Sequence, residues 1–243
     1  MDLENRVALV TGAGVRLGAA LARSLAAAGC HVAVHYHRST GPARQTAAAV
    51  RAAGRDAALL QADLADAEAA RTLGGRVVEA LGRLDIVINS AAVMERQPIE
   101  SVTPESWSRT LDLNLRAPFF VVQGALDALR QARGHVVNLA DVSAFRPWPG
   151  YPPHSVSKAG LVMLTRVLAR ALAPDVQVNA VAPGPVLLPP GWGREETAET
   201  IARVPLNRLG SPEDVVSAVR YLLEGGDFVT GTTLVVDGGE LLR

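Results

Sequence analysis

The chain predicts an α/β fold, a Rossmann-like doubly wound parallel sheet of about seven strands with helices on both faces. Three observations predict it. Short apolar runs alternate with longer stretches of helical periodicity along the whole chain. The runs are rich in Val, Ile and Leu, as strands buried on both faces require. The first run, Val7–Val10, enters a glycine turn, Thr11-Gly12-Ala13-Gly14, that opens directly into a helical stretch from Arg16 to Ala28.

The elements follow in order. Val7–Val10 is short and β-branched, and Arg16 to Ala28 carries no helix breaker. A second strand runs from His31 to Tyr36, and further strands read at Ala57–Leu60, Leu84–Asn89, His135–Leu139, Val176–Val181 and Thr233–Val236. Helical periodicity covers 42–53, 66–81, 104–131, 152–172 and 212–223. The last of these has a well-defined start: Ser211 caps it, Pro212 takes the first position, and Glu213 and Asp214 follow in the first turn. Gly/Pro-rich segments at 147–153 and 183–193 follow predicted strands, where open α/β sheets place their sites. No linker, repeat or low-complexity run divides the chain, so one domain over 1–243 is expected.

Composition narrows the function classes. Hydrophobic residues make up 49% of the 243, enough for a large core. Formal net charge is +0, which supplies no basic excess for nucleic acid or an anionic membrane. Cys30 is the single cysteine, so no intrachain disulfide can form, and a reducing compartment is expected. Its place just before a buried strand suits a small core residue better than a nucleophile. The first residues lack a charged-then-apolar signal pattern, and no apolar stretch reaches membrane-spanning length. A cytoplasmic protein acting on a small molecule follows.

The glycine turn carries the first functional reading. Backbone N–H groups and a helix N-terminus directly after a buried strand favour a dinucleotide pyrophosphate, because free donors and the helix dipole point at the anion. The second strand ends in His35-Tyr36-His37-Arg38-Ser39. An acid there would hold a ribose 2′-hydroxyl. A cation with imidazole and hydroxyl neighbours suits a 2′-phosphate instead, which points to NADPH. His35 and His37 alternate at strand period, but nothing nearby completes a metal-ligand set.

With these landmarks placed, the chain resembles the short-chain dehydrogenase/reductase family over nearly its whole length. The resemblance rests on Thr11-Gly12 to Gly18, Asp63-Leu64, Asn89-Ser90-Ala91, Asn114, Lys158, Asn179, Pro183-Gly184, and Thr230-Gly231 with Val236-Asp237-Gly238-Gly239. Within the family it looks most like the pteridine reductases: Arg16 stands in the glycine turn, the second strand ends alike, and Asp141 replaces a usual serine. The resemblance implies cofactor contacts from Gly12, Arg16, Leu17 and Gly18, and from Tyr36, His37, Arg38 and Ser39. It implies more from Asp63, Leu64, Asn89, Ser90 and Ala91, and from Lys158, Pro183, Gly184 and Val186. Asp141, His154 and Lys158 would form the catalytic centre, with Asn114 kinking its helix and supporting a proton relay. Arg16, Met94, Tyr151 and Trp192 would meet the substrate, the last from a substrate loop over about 185–203. Residues 204–243 resemble the family's subunit-contact region, which implies a homotetramer.

Three positions depart from the family. Histidine stands at 154 where the family has tyrosine, four residues before Lys158; the strand end reads Asn89-Ser90-Ala91-Ala92; and Met94 takes the place of a stacking aromatic. On a helix, His154 and Lys158 share a face. Tyrosine ordinarily titrates near 10 and histidine near 6.5, roughly. Donation from imidazole needs its protonated form. Tyr151, one turn earlier, and Asp141 are the other candidate donors. The expected activity is NADPH-dependent reduction of a C=N or C=O bond, with a pteridine-like substrate among the candidates. A generic carbonyl or 3-oxoacyl reductase is one alternative, and a non-catalytic NADPH-binding sensor or scaffold is the other.

Overall fold

The computed structural model describes residues 1–188, 191 and 193–243. Strands β1 (Val7–Val10), β2 (His31–Tyr36), β3 (Ala57–Gln61), β4 (Ile86–Asn89), β5 (His135–Leu139), β6 (Gln177–Pro183) and β7 (Thr233–Val236) form one sheet. Its order is β3-β2-β1-β4-β5-β6-β7, and every neighbouring pair is parallel. The order reverses between β1 and β4, so the carboxyl ends of those two strands frame a crevice where a ligand can sit.

Strand period divides the core. Ala8, Val10, Val32, Val34, Ile86 and Ile88 face one layer, while Val7, Leu9, Ala33 and Val87 face the other. On the first face lie α1 (Arg16–Ala27), α2 (Thr40–Ala52) and α9 (Pro212–Glu224). On the second lie α3 (Ala67–Leu81), α5 (Ala117–Gly124), α6 (Leu126–Ala132) and α7 (Pro152–Leu172). The remaining helices are α4 (Pro104–Leu111) and α8 (Arg194–Arg203). No helix among the described residues is long and apolar enough to cross a membrane.

The structure departs from the sequence reading in two places. The single helix expected over 104–131 is broken. Between α4 and α5 the chain takes one wide π-turn over Asp112–Arg116, and α6 begins only after Ala125. The second departure is α8, which lies inside the stretch expected to be a loop. Glu195 and Glu196 occupy its first turn, and the Glu196 carboxylate accepts from the Gly193 N–H at 2.9 Å. Acids against the positive end of the helix dipole favour a helix there.

Candidate active site

The glycine turn is shaped by what touches it. Gly12 has φ +66°, and a Cβ there would stand 2.9 Å from the Ala91 Cα. A Cβ on Gly18 would lie 2.3 Å from the Gly12 carbonyl oxygen. The turn therefore packs backbone to backbone, and both glycines line the crevice. Val15 precedes α1 without a side-chain cap, and the first turn holds no acid, which leaves its N–H groups free for an anion. Thr11 ties the turn to β4: its Oγ1 accepts from the N–H groups of Ser90 at 2.9 Å and Ala91 at 3.0 Å.

His35 is the second anchor of this turn. Its Nδ1 accepts from the Gly12 N–H at 3.1 Å, and its carbonyl accepts from the Ala13 N–H at 2.9 Å. Its Nε2 lies 3.2 Å from the Ala62 carbonyl oxygen, which can only accept, so Nε2 carries the hydrogen. Burial pulls the His35 pKa down to about 4, which keeps the ring neutral and Nδ1 open as an acceptor. The sequence offered His35 only as part of a strand-end motif, and the contact that matters bridges residues far apart in the chain.

A cleft of about 860 Å³ runs across the carboxyl ends of the strands. Gly12, Arg16, Leu17 and Gly18 line its middle, and His37, Arg38, Ser39, Asp63 and Leu64 line one end. Ser39 packs on the glycine turn, since a Cβ at Gly14 would meet its Oγ at 2.5 Å. The His37 Nδ1 lies 3.7 Å from Asp63 Oδ1. Ser90, Ala91, Lys158, Pro183, Gly184 and Val186 also face the cleft. Two expected cofactor contacts do not. Tyr36 packs against the core beneath α1 and α2. Asn89 turns inward and donates to Asn138 Oδ1 at 2.8 Å, and Asn138 donates in turn to Thr165 Oγ1 at 2.9 Å. Strand period turns both side chains away from the crevice.

The far end of the cleft holds the polar centre. The π-turn aims Asn114 at Val93: its Oδ1 accepts from the Val93 N–H at 2.8 Å, and its Nδ2 donates to the Val93 carbonyl at 2.9 Å. The same Nδ2 donates to Ser157 Oγ at 3.1 Å. Asn114 is buried and behind the cleft wall, so it positions other groups. The Val93 carbonyl also lies 3.2 Å from His154 Nδ1, which places the ring's hydrogen on that nitrogen. His154 Nε2 is then left bare. It is buried, has no hydrogen-bond partner, and lies 3.9 Å from Asp141 Oδ2. The Trp148 ring stacks over His154 at 6.2 Å between centroids.

Asp141 and Lys158 complete the centre. Burial works to raise the Asp141 pKa, but contact with His154 and the Ser143 N–H, at 2.7 Å, outweighs it and holds the carboxyl below its ordinary value. Lys158 Nζ donates to the Leu139 carbonyl at 2.6 Å. Burial lowers its pKa to about 8, with Asp141 opposing the shift. Met94 and Tyr151 line the same end, and Tyr151 sits at the start of α7 with its ring 5.8 Å from that of Trp148. Arg16 reaches over this region, with Nη2 donating to the Leu187 carbonyl at 2.6 Å. Trp192 lies outside the described residues. Arg146, Arg203 and Glu240 also line the cleft and were not singled out by the sequence reading.

Known proteins similar to this chain match it over nearly its whole length. The family model described as enoyl-(acyl carrier protein) reductase matches residues 12–240. The chain is 36% identical over 249 residues to 3beta-hydroxysteroid dehydrogenase 1 of Eggerthella lenta, covering 99% of this chain and 95% of that protein. It is 34% identical over 245 residues to a 3-oxoacyl-(acyl-carrier-protein) reductase of Synechocystis, covering 99% of this chain and 98% of that one. A blue fluorescent protein from a metagenomic library, solved in complex with NADPH, superposes with a TM-score of 0.92 at 33% identity over 99% of both chains. The chain belongs to the short-chain dehydrogenase/reductase family of oxidoreductases, which use nicotinamide cofactors. The residues present fit such a group. Gly12 and Gly18 line the cleft beside the uncapped start of α1, and Lys158 and the unpartnered His154 Nε2 lie at one end.

Proposed function

We propose that this chain is an NADPH-dependent reductase of a C=O or C=N bond, with His154 as the proton donor. The observation that carries the reading is the buried, unpartnered His154 Nε2 facing Asp141 across 3.9 Å. The bound nicotinamide supplies hydride. The chain supplies the proton and the positioning. With Nδ1–H held on the Val93 carbonyl, Nε2 is the nitrogen that acts as donor when the ring takes up a second proton, with Asp141 3.9 Å away to balance that charge. That imidazolium donates to the oxygen or nitrogen being reduced, which neutral imidazole does poorly. Asn114 fixes Val93 and through it the ring. The Lys158 ammonium donates to the Leu139 carbonyl and would hold the nicotinamide ribose.

Arg38, His37 and Ser39 at the opposite end are suited to a 2′-phosphate, as the NADPH complex of the similar structure supports. Carbonyl reduction is favoured by the named activities of the similar hydroxysteroid dehydrogenase and 3-oxoacyl reductase. A pteridine-like ring is a narrower reading, favoured by Arg16 spanning to Leu187 and by Asp141 at the hydride end. Turnover of 3-oxo compounds and of dihydrobiopterin, followed by loss of NADPH absorbance, tests both. Tight NADPH binding with no turnover of either class would favour a non-catalytic role.

A homotetramer belongs to the same reading. Trp107, Phe119, Met163 and Val167 are exposed on α4, α5 and α7, and Tyr221, Phe228, Val235 and Leu242 are exposed at the α9 and β7 side. Two separate apolar faces, each covered by a copy of itself, give a closed tetramer. Light scattering of the eluted protein checks the mass. Cytoplasmic residence suits Cys30, whose thiol burial pushes up to about 12 and so keeps inert.

A further inference from the structure

We propose that Lys158 is also a covalent site: when the cofactor is absent, its side-chain amine condenses with an aldehyde in the cleft to form a Schiff base. The condensation stands on Lys158 and the cleft alone; that the cofactor shields it rests on the cofactor placement above.

The sequence leaves this chemistry one atom. Lys158 is the single lysine in the chain, and every other member of the 24 Lys and Arg residues is arginine. A guanidinium stays protonated and does not act as an amine. The Met1 α-amino group is the other amine; it is held on the Leu223 carbonyl, and Met1 lies apart from the cleft.

The surroundings of Lys158 free its amine. The residue is 5% exposed and lines the cleft from α7. Among the described residues no carboxylate lies within ion-pair distance of Nζ, which donates to the Leu139 carbonyl at 2.6 Å. That oxygen only accepts, so a neutral amine keeps one N–H on it and directs its lone pair elsewhere. The elements around α7 do little to hold the proton. Asp141, at the end of β5, opposes the effect of burial without overcoming it. Strand β6 carries no charged residue, Asp112 of the π-turn pairs with Arg116 at 3.0 Å, and Glu105 and Arg109 on α4 are exposed. His154 and Tyr151, earlier on α7, bring no carboxylate. Burial therefore brings the ammonium from 10.5 down to about 8. At about pH 7, roughly a tenth of such a group is free amine, several hundred times the share of an ordinary lysine. A desolvated lysine amine is the group that forms Schiff bases with carbonyl compounds.

The step balances without an oxidant or a reductant. The Nζ lone pair attacks the aldehyde carbon, a C–N bond forms, and the carbonyl oxygen takes a proton from the nitrogen. The carbinolamine then loses its hydroxyl together with the second N–H proton as water, which leaves C=N. The imine nitrogen has no hydrogen left for the Leu139 carbonyl. An aldehyde that arrives before the cofactor is held until water releases it, so cofactor-first entry keeps the amine for the nicotinamide ribose.

The test uses the full-length protein freed of nucleotide. Benzaldehyde is the probe, and sodium cyanoborohydride reduces the C=N bond to a stable secondary amine, read by intact mass and peptide mapping. One adduct should form at Lys158, at least about tenfold faster at neutral pH than on the side chain of N-acetyl-lysine amide. Saturating NADP+ should slow it at least about tenfold, and the labelled protein should no longer bind NADP+ in calorimetry. No adduct, labelling of Met1 alone, or a rate no faster than the model amine would overturn the proposal, and carbonyl turnover by the same preparation would leave the reductase reading standing. Fast labelling of Lys158 that bound NADP+ does not slow would overturn the cofactor placement and leave the covalent site standing.

Discussion

Acidification from about pH 7 to about pH 5 should cost this protein much of its stability, because two histidines are held neutral inside it. Burial pulls His35 and His135 from an ordinary value of 6.5 to about 4. For His35, Arg76 and His37 add to the downward pull, while the Ala62 carbonyl and Asp63 oppose it. The unfolded chain therefore binds more protons than the folded one between the two values. Stability is fully present above the unfolded value and is lost as pH falls toward the folded one. Each histidine contributes about 2 kcal/mol of loss by about pH 5, and the pair about 4 kcal/mol, since they sit in different strands and act independently. Against a typical total of about 5–15 kcal/mol, that is a large share. Carboxyls held low, such as Asp85 and Asp214, lose their contribution only below their ordinary value of 3.8, outside this window. Glu240, pushed up by burial, works in the opposite sense.

Urea unfolding at the two pH values reads this directly, and the midpoint should fall by roughly 1–2 M. His35→Asn isolates one of the two sites. The amide oxygen can still accept from Gly12, but the bond to Ala62 is lost and the side chain is smaller, so the variant should lose about 1–3 kcal/mol at neutral pH. It cannot titrate, so its further loss on acidification should be about half that of the native protein. NADPH affinity should fall in the variant, because the Gly12 N–H is held by one partner less firmly fixed. A native midpoint that does not move between the two pH values would refute the reasoning, as would a variant whose pH profile parallels the native one.

Arg38→Ala should weaken NADPH by roughly ten- to a hundredfold and leave NADH nearly unchanged, since a charge-assisted contact is worth about 1.5–3 kcal/mol; equal native affinity for the two cofactors, by fluorescence titration, would end the 2′-phosphate assignment. His154→Tyr should raise turnover of carbonyl substrates, read as loss of NADPH absorbance, with NADPH affinity unchanged because Lys158 is untouched. If His154→Ala keeps its activity while Tyr151→Phe or Asp141→Asn loses it, the donor is one of those two. Asn114→Ala should lower kcat about tenfold or more with little change in NADPH affinity, because it frees the Val93 carbonyl that orients the imidazole; a change in cofactor affinity alone would assign Asn114 a different role.

The sheet was legible because its strands are buried on both faces and read as apolar runs whatever their neighbours. The helices were legible where one face repeats. The π-turn at Asp112–Arg116 was announced only by the resemblance, which implied that Asn114 kinks its helix; the apolar pattern does not show it, because it is fixed by Asn114 gripping Val93, 21 residues away. Helix α8 did leave a signal in Glu195 and Glu196, but Pro189, Pro190 and the glycines before it read more strongly as loop.

The site divides the same way. Residues whose backbone does the work, such as Gly12 and Gly18, can be read from spacing, since the turn requires them wherever the side chains go. Polar side chains at strand ends cannot, because each can serve either as cleft wall or as internal tie. Asn89 was expected in the wall and is a tie to Asn138; His35 was expected as part of a motif and holds the glycine turn. What separates them is the direction of a side chain and the partner it finds across the sheet, 49 residues on for Asn89 and 23 residues back for His35. The substitution at 154 follows the same rule. Histidine in a sequence is equally an acid, a base or a buried ring, and the Val93 carbonyl, 61 residues away, fixes which nitrogen is free. With Nδ1 spent there, Nε2 is the nitrogen left for the proposed proton transfer, with the Asp141 carboxylate 3.9 Å away to balance its charge.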